Sequence, residues 1–273
     1  MINYEDKLVV AGSFDSAGGV LCNGIAAWDG HRWTPFGSGV IRKGKKITEL
    51  ATYNGNLIAG GNFDSIAGLV STRIATWDGA SWSPMGTGLN GDPTSLTVYQ
   101  DRLVVTGYFT MAGGVAANRM AIWNGTSWDS FGNGTNSAAT ASIVHNGNLV
   151  IGGDFSSVDG HDIEKVAEWN GTIWLPFNNG LIITPYMAIY NLNQVDEKLY
   201  LVGRFVGPSN NVLYEHVVQK WDDTVWTPIS QNGINNEVVE FSLFNKMLVA
   251  GGFIKHAGTT VTEKVAAWDG SAW

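Results

Sequence analysis

The chain has 273 residues, a net charge of −8 at pH 7, 35 glycines and only 15% charged residues. Phosphate binding needs clustered lysine and arginine, so this composition argues against a nucleic-acid partner. A single cysteine, Cys22, excludes an internal disulfide framework. No apolar stretch approaches the roughly 18 residues of a membrane-spanning helix, and the N-terminus lacks a signal-peptide pattern. We therefore expect no membrane insertion.

One short phrase, Trp-[Asp/Asn]-[Gly/Asp]-x-x-Trp, recurs six times and uses all 12 tryptophans. The copies begin at Trp28, Trp77, Trp123, Trp169, Trp221 and Trp268. Successive copies begin 46 to 52 residues apart, and a period of this size indicates repeated supersecondary units. The Asp-Gly or Asn-Gly pair suits a tight turn, which would place the two tryptophans opposite each other on neighbouring strands.

Three further segments accompany each phrase in chain order. A β-prone run such as residues 47–53 comes first, and turn residues such as Asn54 and Gly55 follow it. A second run carries a recurring glycine two residues before a Phe, as in Gly61 and Phe63, and we align Gly251 and Phe253 with them in the last copy. A glycine inside a strand indicates close backbone approach or a bulge. A short run after the second tryptophan supplies a fourth strand.

Four antiparallel strands in each of six units predict an all-β fold, a six-bladed β-propeller. We expect a single domain over residues 1–273 that closes into a ring. The predicted blades cover approximately 1–37, 46–87, 93–132, 139–178, 187–229 and 237–273.

The repeats resemble kelch-like propeller repeats, in which a glycine doublet precedes an aromatic residue and then a tryptophan. Gly60 to Phe63 and Gly152 to Phe155 carry that resemblance. The fuller pattern Gly-x-Phe with Ile-Ala-x-Trp-Asp-Gly-x-x-Trp looks like the repeats of bacterial surface or secreted proteins and of fungal cortical marker proteins of the bud-site-selection type. The resemblance implies the propeller architecture and favours an extracellular or cell-surface location. It specifies no chemistry, because propellers host many unrelated functions.

The candidate binding residues stand between the recurring Gly and Phe, where known propellers have one end of the central channel. These tip positions differ between units: Ser13, Asn62, Tyr108, Asp154, Arg204 and Gly252. A fixed framework with variable polar tips is one way in which a scaffold carries a site. Asn62, Tyr108, Asp154 and Arg204 are therefore the predicted ligand-binding residues. The alternative is that each is a solvated strand end.

A metal site is a weaker hypothesis. Asp159, His161, Asp162 and Glu164 form an acidic stretch that offers oxygen and nitrogen ligands. The histidines of neighbouring units stand at different offsets, so ordinary surface residues are the favoured interpretation. We predict no metal and no cofactor.

No residue is singled out as catalytic, because the sequence has no nucleophile elbow, phosphate-binding loop or His-Glu-x-x-His motif. We predict a non-enzymatic binding module that takes a protein or carbohydrate ligand on one propeller face. One alternative is a carbohydrate-binding lectin that stacks sugars on the tryptophans, whose use in every unit instead favours framework packing. The other is a hydrolase, lyase or oxidase with a site at the central channel.

Overall fold

The structure is a computed structural model that describes residues 1–41, 44–181, 187–206, 214–229, 234–235, 238–245 and 247–273. These residues form β-strands and turns and contain no α-helix. Accordingly, no described segment is a helix with the length and apolar content needed to cross a bilayer. The chain divides into two compact units, Met1–Ala139 (unit 1) and Thr140–Trp273 (unit 2).

Unit 1 holds three four-stranded antiparallel sheets, each with a small hairpin between its second and third strands. Blade 1 consists of β1 (Ile2–Tyr4), β2 (Lys7–Ala11), the hairpin β3 (Ser16–Ala17) and β4 (Val20–Leu21), β5 (Ile25–Trp28) and β6 (Trp33–Pro35). Blade 2 consists of β7 (Ile47–Tyr53), β8 (Asn56–Gly61), the hairpin β9 (Ser65–Ile66) and β10 (Leu69–Val70), β11 (Ile74–Trp77) and β12 (Trp82–Pro84). Blade 3 consists of β13 (Pro93–Tyr99), β14 (Arg102–Gly107), the hairpin β15 (Met111–Ala112) and β16 (Val115–Ala116), β17 (Met120–Trp123) and β18 (Trp128–Ser130).

The sheets that follow keep this order of strands, except that a short extra strand after blade 5 pairs both with blade 5 and with the hairpin of blade 6. Blade 4 consists of β19 (Ala139–His145), β20 (Asn148–Gly153), β21 (Val166–Trp169) and β22 (Trp174–Pro176). Blade 5 consists of β23 (Ala188–Val195), β24 (Lys198–Val206), β25 (Tyr214–Trp221) and β26 (Trp226–Pro228), and β27 (Ile234–Asn235) follows it. Blade 6 consists of β28 (Val238–Phe244), β29 (Met247–Gly252), the hairpin β30 (His256–Ala257) and β31 (Thr260–Val261), and β32 (Val265–Trp268).

Local turn chemistry explains the strand order. The first and second strands are joined by two-residue turns, as at Asn54 and Gly55, where both residues have positive φ. Such turns match the right-handed twist of the flanking strands. The third and fourth strands are joined by the Trp phrase, and its tryptophans are register partners, as in Trp77 and Trp82. Their ring centroids lie 5.4 Å apart. The sequence predicted this cross-strand pairing.

The recurring glycine is needed for close backbone approach. A Cβ on Gly61 would collide with the backbone carbonyl of Lys46, and one on Gly107 would collide with that of Asp92. Beside this glycine the first strand is bulged, since the register of blade 2 shifts between Ile47 and Glu49. The same shift recurs in blades 3, 5 and 6.

Hydrophobic cores lie between adjacent blades within each unit. One core of unit 1 joins blades 1 and 2 around Leu57 and Phe63, and another joins blades 2 and 3 around Phe109 and Met85. Unit 2 likewise has one core between blades 4 and 5 and one between blades 5 and 6. Face-to-face packing of sheets through such cores is the packing of propeller blades.

The predicted fold class is confirmed: the chain is all-β, with six repeated antiparallel sheets of the β-propeller type. The sixth sheet has three strands among the described residues. There, Trp273 stands at the position where the fourth strand begins in the other blades, and its ring lies 5.6 Å from that of Trp268. The single domain and the closed ring stay predictions.

Candidate functional site

The predicted tip residues begin the loop that joins the second and third strands of each blade. In an antiparallel sheet of this order, that loop and the segment after the fourth strand emerge at the same end. We call this end of a blade its loop end. The opposite end carries the two-residue turns and the Trp phrases and is called the turn end.

Asn62 joins two segments of the loop end of blade 2. Its side-chain oxygen accepts a hydrogen bond from the Lys46 backbone N–H at 2.7 Å, and its amide group donates to the Gly44 carbonyl at 3.1 Å. These contacts fix the segment that leads into β7. Asn62 therefore has a structural role, whatever else it binds.

Asp154 is also engaged. Its carboxylate lies 3.5 Å from the ammonium group of Lys165, which in turn donates to the carbonyl of Met187 at 2.7 Å. Met187 immediately precedes the first strand of blade 5, so Lys165 connects blade 4 to the start of its neighbour.

Lys165 belongs to a recurrent basic position that our sequence analysis missed. A residue with positive φ stands four positions before the first tryptophan, and it is Arg73, Arg119, Lys165 or Lys264 in four of the six blades. Arg73 forms an ion pair with Asp92, just before the first strand of blade 3. The Arg119 guanidinium donates to the Thr135 carbonyl at 3.1 Å. In blades 2, 3 and 4 the cation therefore connects the loop end to the segment that leads to the next sheet.

Tyr108 differs from Asn62 and Asp154 because it is 61% exposed and its side chain has no described partner. Only its backbone is held, by a hydrogen bond of 2.9 Å from its N–H to the Asp92 carbonyl. Arg204 lies in β24 with its backbone paired to Ala188, but its side chain lies outside the described part of the chain. The structure thus leaves Tyr108 as the predicted tip residue with a free, described side chain.

The alignment of the last copy was wrong by one residue. Leu248 pairs with Trp268, as Leu57 pairs with Trp77, so Gly252 and not Gly251 takes the recurring glycine position. Ile254 consequently fills the buried position of the Phe, with 1% exposure, whereas Phe253 becomes the tip residue and is 67% exposed.

The exposed large apolar side chains concentrate at the loop ends. In the loops between the second and third strands of unit 1 they are Leu21, Leu69, Val70, Tyr108, Met111 and Val115, and we call these six residues the loop surface. In unit 2, Phe253 and Val261 occupy the corresponding loop of blade 6.

Backbone hydrogen bonds connect the loop surface across unit 1. The Ala67 N–H donates to the Gly39 carbonyl at 2.7 Å, which links the hairpin of blade 2 to the segment after blade 1. In the same way the Gly113 N–H donates to the Gly88 carbonyl at 2.8 Å, which links the hairpin of blade 3 to the segment after blade 2. The exposed apolar residues are therefore carried by loops that are fixed to one another.

The weak metal candidates form a tight turn in blade 4. Asp159 and Gly160 have positive φ, and Val158 and His161 exchange two backbone hydrogen bonds around them. His161, Asp162 and Glu164 are exposed. Among the residues that the structure describes, no group of three or more His, Cys, Asp or Glu side chains is placed to hold a metal ion.

The pKa shifts at the Trp phrases have structural causes. Backbone N–H groups of the turn lower the pKa of Asp78, chiefly those of Ser81 and Ala80. Equivalent bonds lower the pKa values of Asp29, Asp222 and Asp269. Burial raises the pKa of the Cys22 thiol. These shifts reflect turn formation and burial and supply no acid–base pair.

In blades 2, 3 and 5 the second tryptophan of the phrase serves the framework. The indole N–H of Trp82 donates to the Phe36 carbonyl at 3.0 Å, and that of Trp128 donates to the Met85 carbonyl at 2.8 Å. Both rings are buried. Each therefore connects its blade to the preceding one and presents no open face for a sugar.

No protein-family model and no curated protein matches this sequence. Among solved structures, the chain is similar to YCF48 bound to D1 peptide, at 12% identity over 94% of this chain and 96% of that chain, with a TM-score of 0.45. It is also similar to the GH43 endo-arabinanase from Bacillus licheniformis, at 13% identity over 80% of this chain and 91% of that one, with a TM-score of 0.34.

Proposed function

We propose that the chain is a non-enzymatic binding module and that its loop surface in unit 1 takes a protein partner. The exposure of six large apolar side chains on loops at one end of three consecutive blades carries the proposal. Apolar side chains grouped on a folded surface are a recurrent feature of protein interaction sites. Tyr108 has the character of an anchor, because a tyrosine combines a large apolar ring with one polar group.

The rigidity of the loop surface supports this function. The loops that carry Val70 and Tyr108 are held by backbone hydrogen bonds to the neighbouring segments, so little conformational entropy is lost when a partner binds. The titratable groups nearby favour binding over catalysis. Arg73 and Asp92 are paired with each other, and Arg119 is engaged with a carbonyl.

The experiment is selection of a random peptide phage library on the whole chain, followed by affinity measurement with synthetic peptides. Val70→Ser and Tyr108→Ser test the loop surface, and Val98→Ser is the matched control, because Val98 is an exposed residue of β13 outside that surface. We expect each loop-surface variant to weaken peptide binding tenfold or more, since loss of an anchor costs about 2 kcal/mol or more. The control should bind as the unaltered chain does.

Two results would contradict the proposal. One is a library that yields no enriched sequence, and the other is peptides that bind all three variants equally well. A glycan array screened with the same protein tests the carbohydrate alternative: sugar binding that is lost in Tyr108→Ser would assign the loop surface to a carbohydrate, whereas sugar binding that survives this change takes place elsewhere on the chain.

A further inference from the structure

The junction between blades 5 and 6 is packed differently from the other junctions between adjacent blades. At the end of the fourth strand, Phe36 and Phe177 pack against both tryptophans of the following blade. The corresponding residues of blades 2 and 3, Met85 and Phe131, are buried as well, whereas Ile229 of blade 5 is only half-buried. Among the described residues, the buried Nε1 of Trp273 has no hydrogen-bond partner, whereas Trp226 donates to the Phe177 carbonyl at 2.7 Å.

A cavity of about 450 Å³ lies at this junction, within unit 2. Its walls include Tyr200, Lys220 and Thr227 of blade 5 and Trp268 and Asp269 of blade 6, with Lys198 at its rim. Ligand pockets in proteins commonly have volumes of about 300–1,000 Å³. The cavity is therefore large enough for a monosaccharide.

The polar wall is a departure from the repeat. Tyr200, Lys220 and Thr227 are register partners across three strands, so their side chains share the face of blade 5 that packs towards blade 6. The first position of this row is aliphatic in the other blades, where it holds Val9, Ile58, Val104, Val150 and Val249. The second is a lysine in blade 5 alone and is Ala27, Thr76, Ile122, Glu168 or Ala267 elsewhere. Five blades therefore fold without a tyrosine at the first position and without a lysine at the second.

The charges of the cavity indicate the ligand. Lys198 and Lys220 supply two ammonium groups to this cavity, and Asp196 and Asp269 supply two carboxylates. Within the described residues neither lysine forms an ion pair, so both ammonium groups are available to a ligand beside the carboxylates. Asp269 uses one carboxylate oxygen to accept the turn N–H groups of Ser271 and Ala272, each at 2.8 Å. Its second oxygen remains as an acceptor, and Tyr200 and Thr227 add hydroxyl groups. Trp268 adds an aromatic face, against which the C–H groups of a sugar ring can pack.

We infer that this cavity is a binding site for an acidic monosaccharide. The two lysines bind its carboxylate, the hydroxyl and carboxylate groups of Tyr200, Thr227 and Asp269 bind its hydroxyls, and its ring lies against Trp268. The site is distinct from the loop surface, because its residues lie towards the turn ends of blades 5 and 6.

The test is isothermal titration calorimetry of the whole chain with D-glucuronate, and with D-glucose as the uncharged comparison. Saturable binding of glucuronate without binding of glucose is the expected result, and binding should weaken as salt is raised, because the attraction is electrostatic. Lys220→Thr, which installs the blade 2 residue, and Lys198→Ala should each lower the affinity tenfold or more. Arg102→Ala is the matched control: Arg102 is an exposed cation at the position of Lys198 in blade 3, and its loss should leave the affinity unchanged.

Proton NMR of the indole N–H region supplies a second readout. Glucuronate should shift a Trp signal that disappears in Trp268→Phe, and Lys220→Thr should abolish the shift. If Lys220→Thr does not fold, Lys198→Ala tests the site alone, because Lys198 is exposed and the fold should tolerate its replacement. Absence of saturable glucuronate binding, equal binding of glucose, or full affinity in both lysine variants would overturn the assignment.

Discussion

Replacing Trp82 or Trp128 by phenylalanine tests how the blades are joined. Both indoles are buried and donate to a carbonyl of the preceding blade. The two acceptor carbonyl groups differ in the hydrogen bonds that they keep after the substitution. Met85 O also accepts the Gly88 N–H at 3.1 Å, whereas Phe36 O has no second donor among the described residues.

The expected losses follow from these contacts. Each substitution removes roughly three buried non-hydrogen atoms, at about 0.8 kcal/mol for each buried methylene-sized group. A hydrogen bond adds about 1 kcal/mol when its acceptor keeps another partner and about 2 kcal/mol when the acceptor is left buried and unpaired. Trp128→Phe should therefore lower the free energy of unfolding by about 3 kcal/mol, and Trp82→Phe by about 4 kcal/mol.

Urea denaturation followed by far-UV circular dichroism measures both values, and an unchanged slope with denaturant shows that the variants are comparable. The difference between the two variants is the decisive quantity, because the removed volume is the same. Equal losses, or a larger loss in Trp128→Phe, would show that the Phe36 carbonyl is satisfied in another way and would refute the reasoning.

Four further substitutions address the framework. Thr106→Val should raise the free energy of unfolding by about 1 kcal/mol in the same assay, because the buried hydroxyl has no partner among the described residues; a loss of stability would show that the hydroxyl is bonded. Gly88→Ala and Gly68→Ala share a φ near +79°, but only at Gly88 would the new Cβ collide with a backbone carbonyl. Gly68→Ala should cost about 1 kcal/mol and Gly88→Ala about 3 kcal/mol, and equal costs would contradict the predicted collision. Asp78→Asn should make stability fall less steeply at acid pH. The lowered pKa of Asp78 stabilises the folded chain above the pKa of this carboxyl in the unfolded chain, and this contribution is lost below about pH 4. Thermal melts from pH 2 to 7 that show the original acid dependence would exclude this role.

The strands and turns were predictable from sequence because their determinants are local. The turn between Trp77 and Trp82 depends on Asp78 and Gly79, and the same types of residue recur at the same spacing. The recurrent basic position was missed although a signal was present, since Arg73 and Arg119 stand at the same offset from the Trp phrase. Their role depends on partners that precede the next sheet, which no local pattern reveals.

The error at Phe253 has a similar cause. The letters Gly-Gly-Phe match the motif, but the distance from Phe253 to Trp268 is one residue longer than in the first four copies. Pairing of Leu248 with Trp268 sets the register, and burial of Ile254 follows from it. Strand spacing was therefore a better guide than motif identity, because a one-residue shift turns a buried side chain outwards.

The positions that depart from the repeat are those that the framework does not require. Five blades pack with an aliphatic residue at the position of Tyr200. Among the tip residues, Asn62 and Asp154 form contacts within the fold, whereas Tyr108 is exposed. The loop surface is apolar and the cavity between blades 5 and 6 is polar, so the two would select ligands of different chemistry. Tyr108→Ser should then leave glucuronate binding unchanged, and Lys220→Thr should leave peptide binding unchanged. If either variant alters both, the two surfaces are energetically coupled and cannot be independent sites.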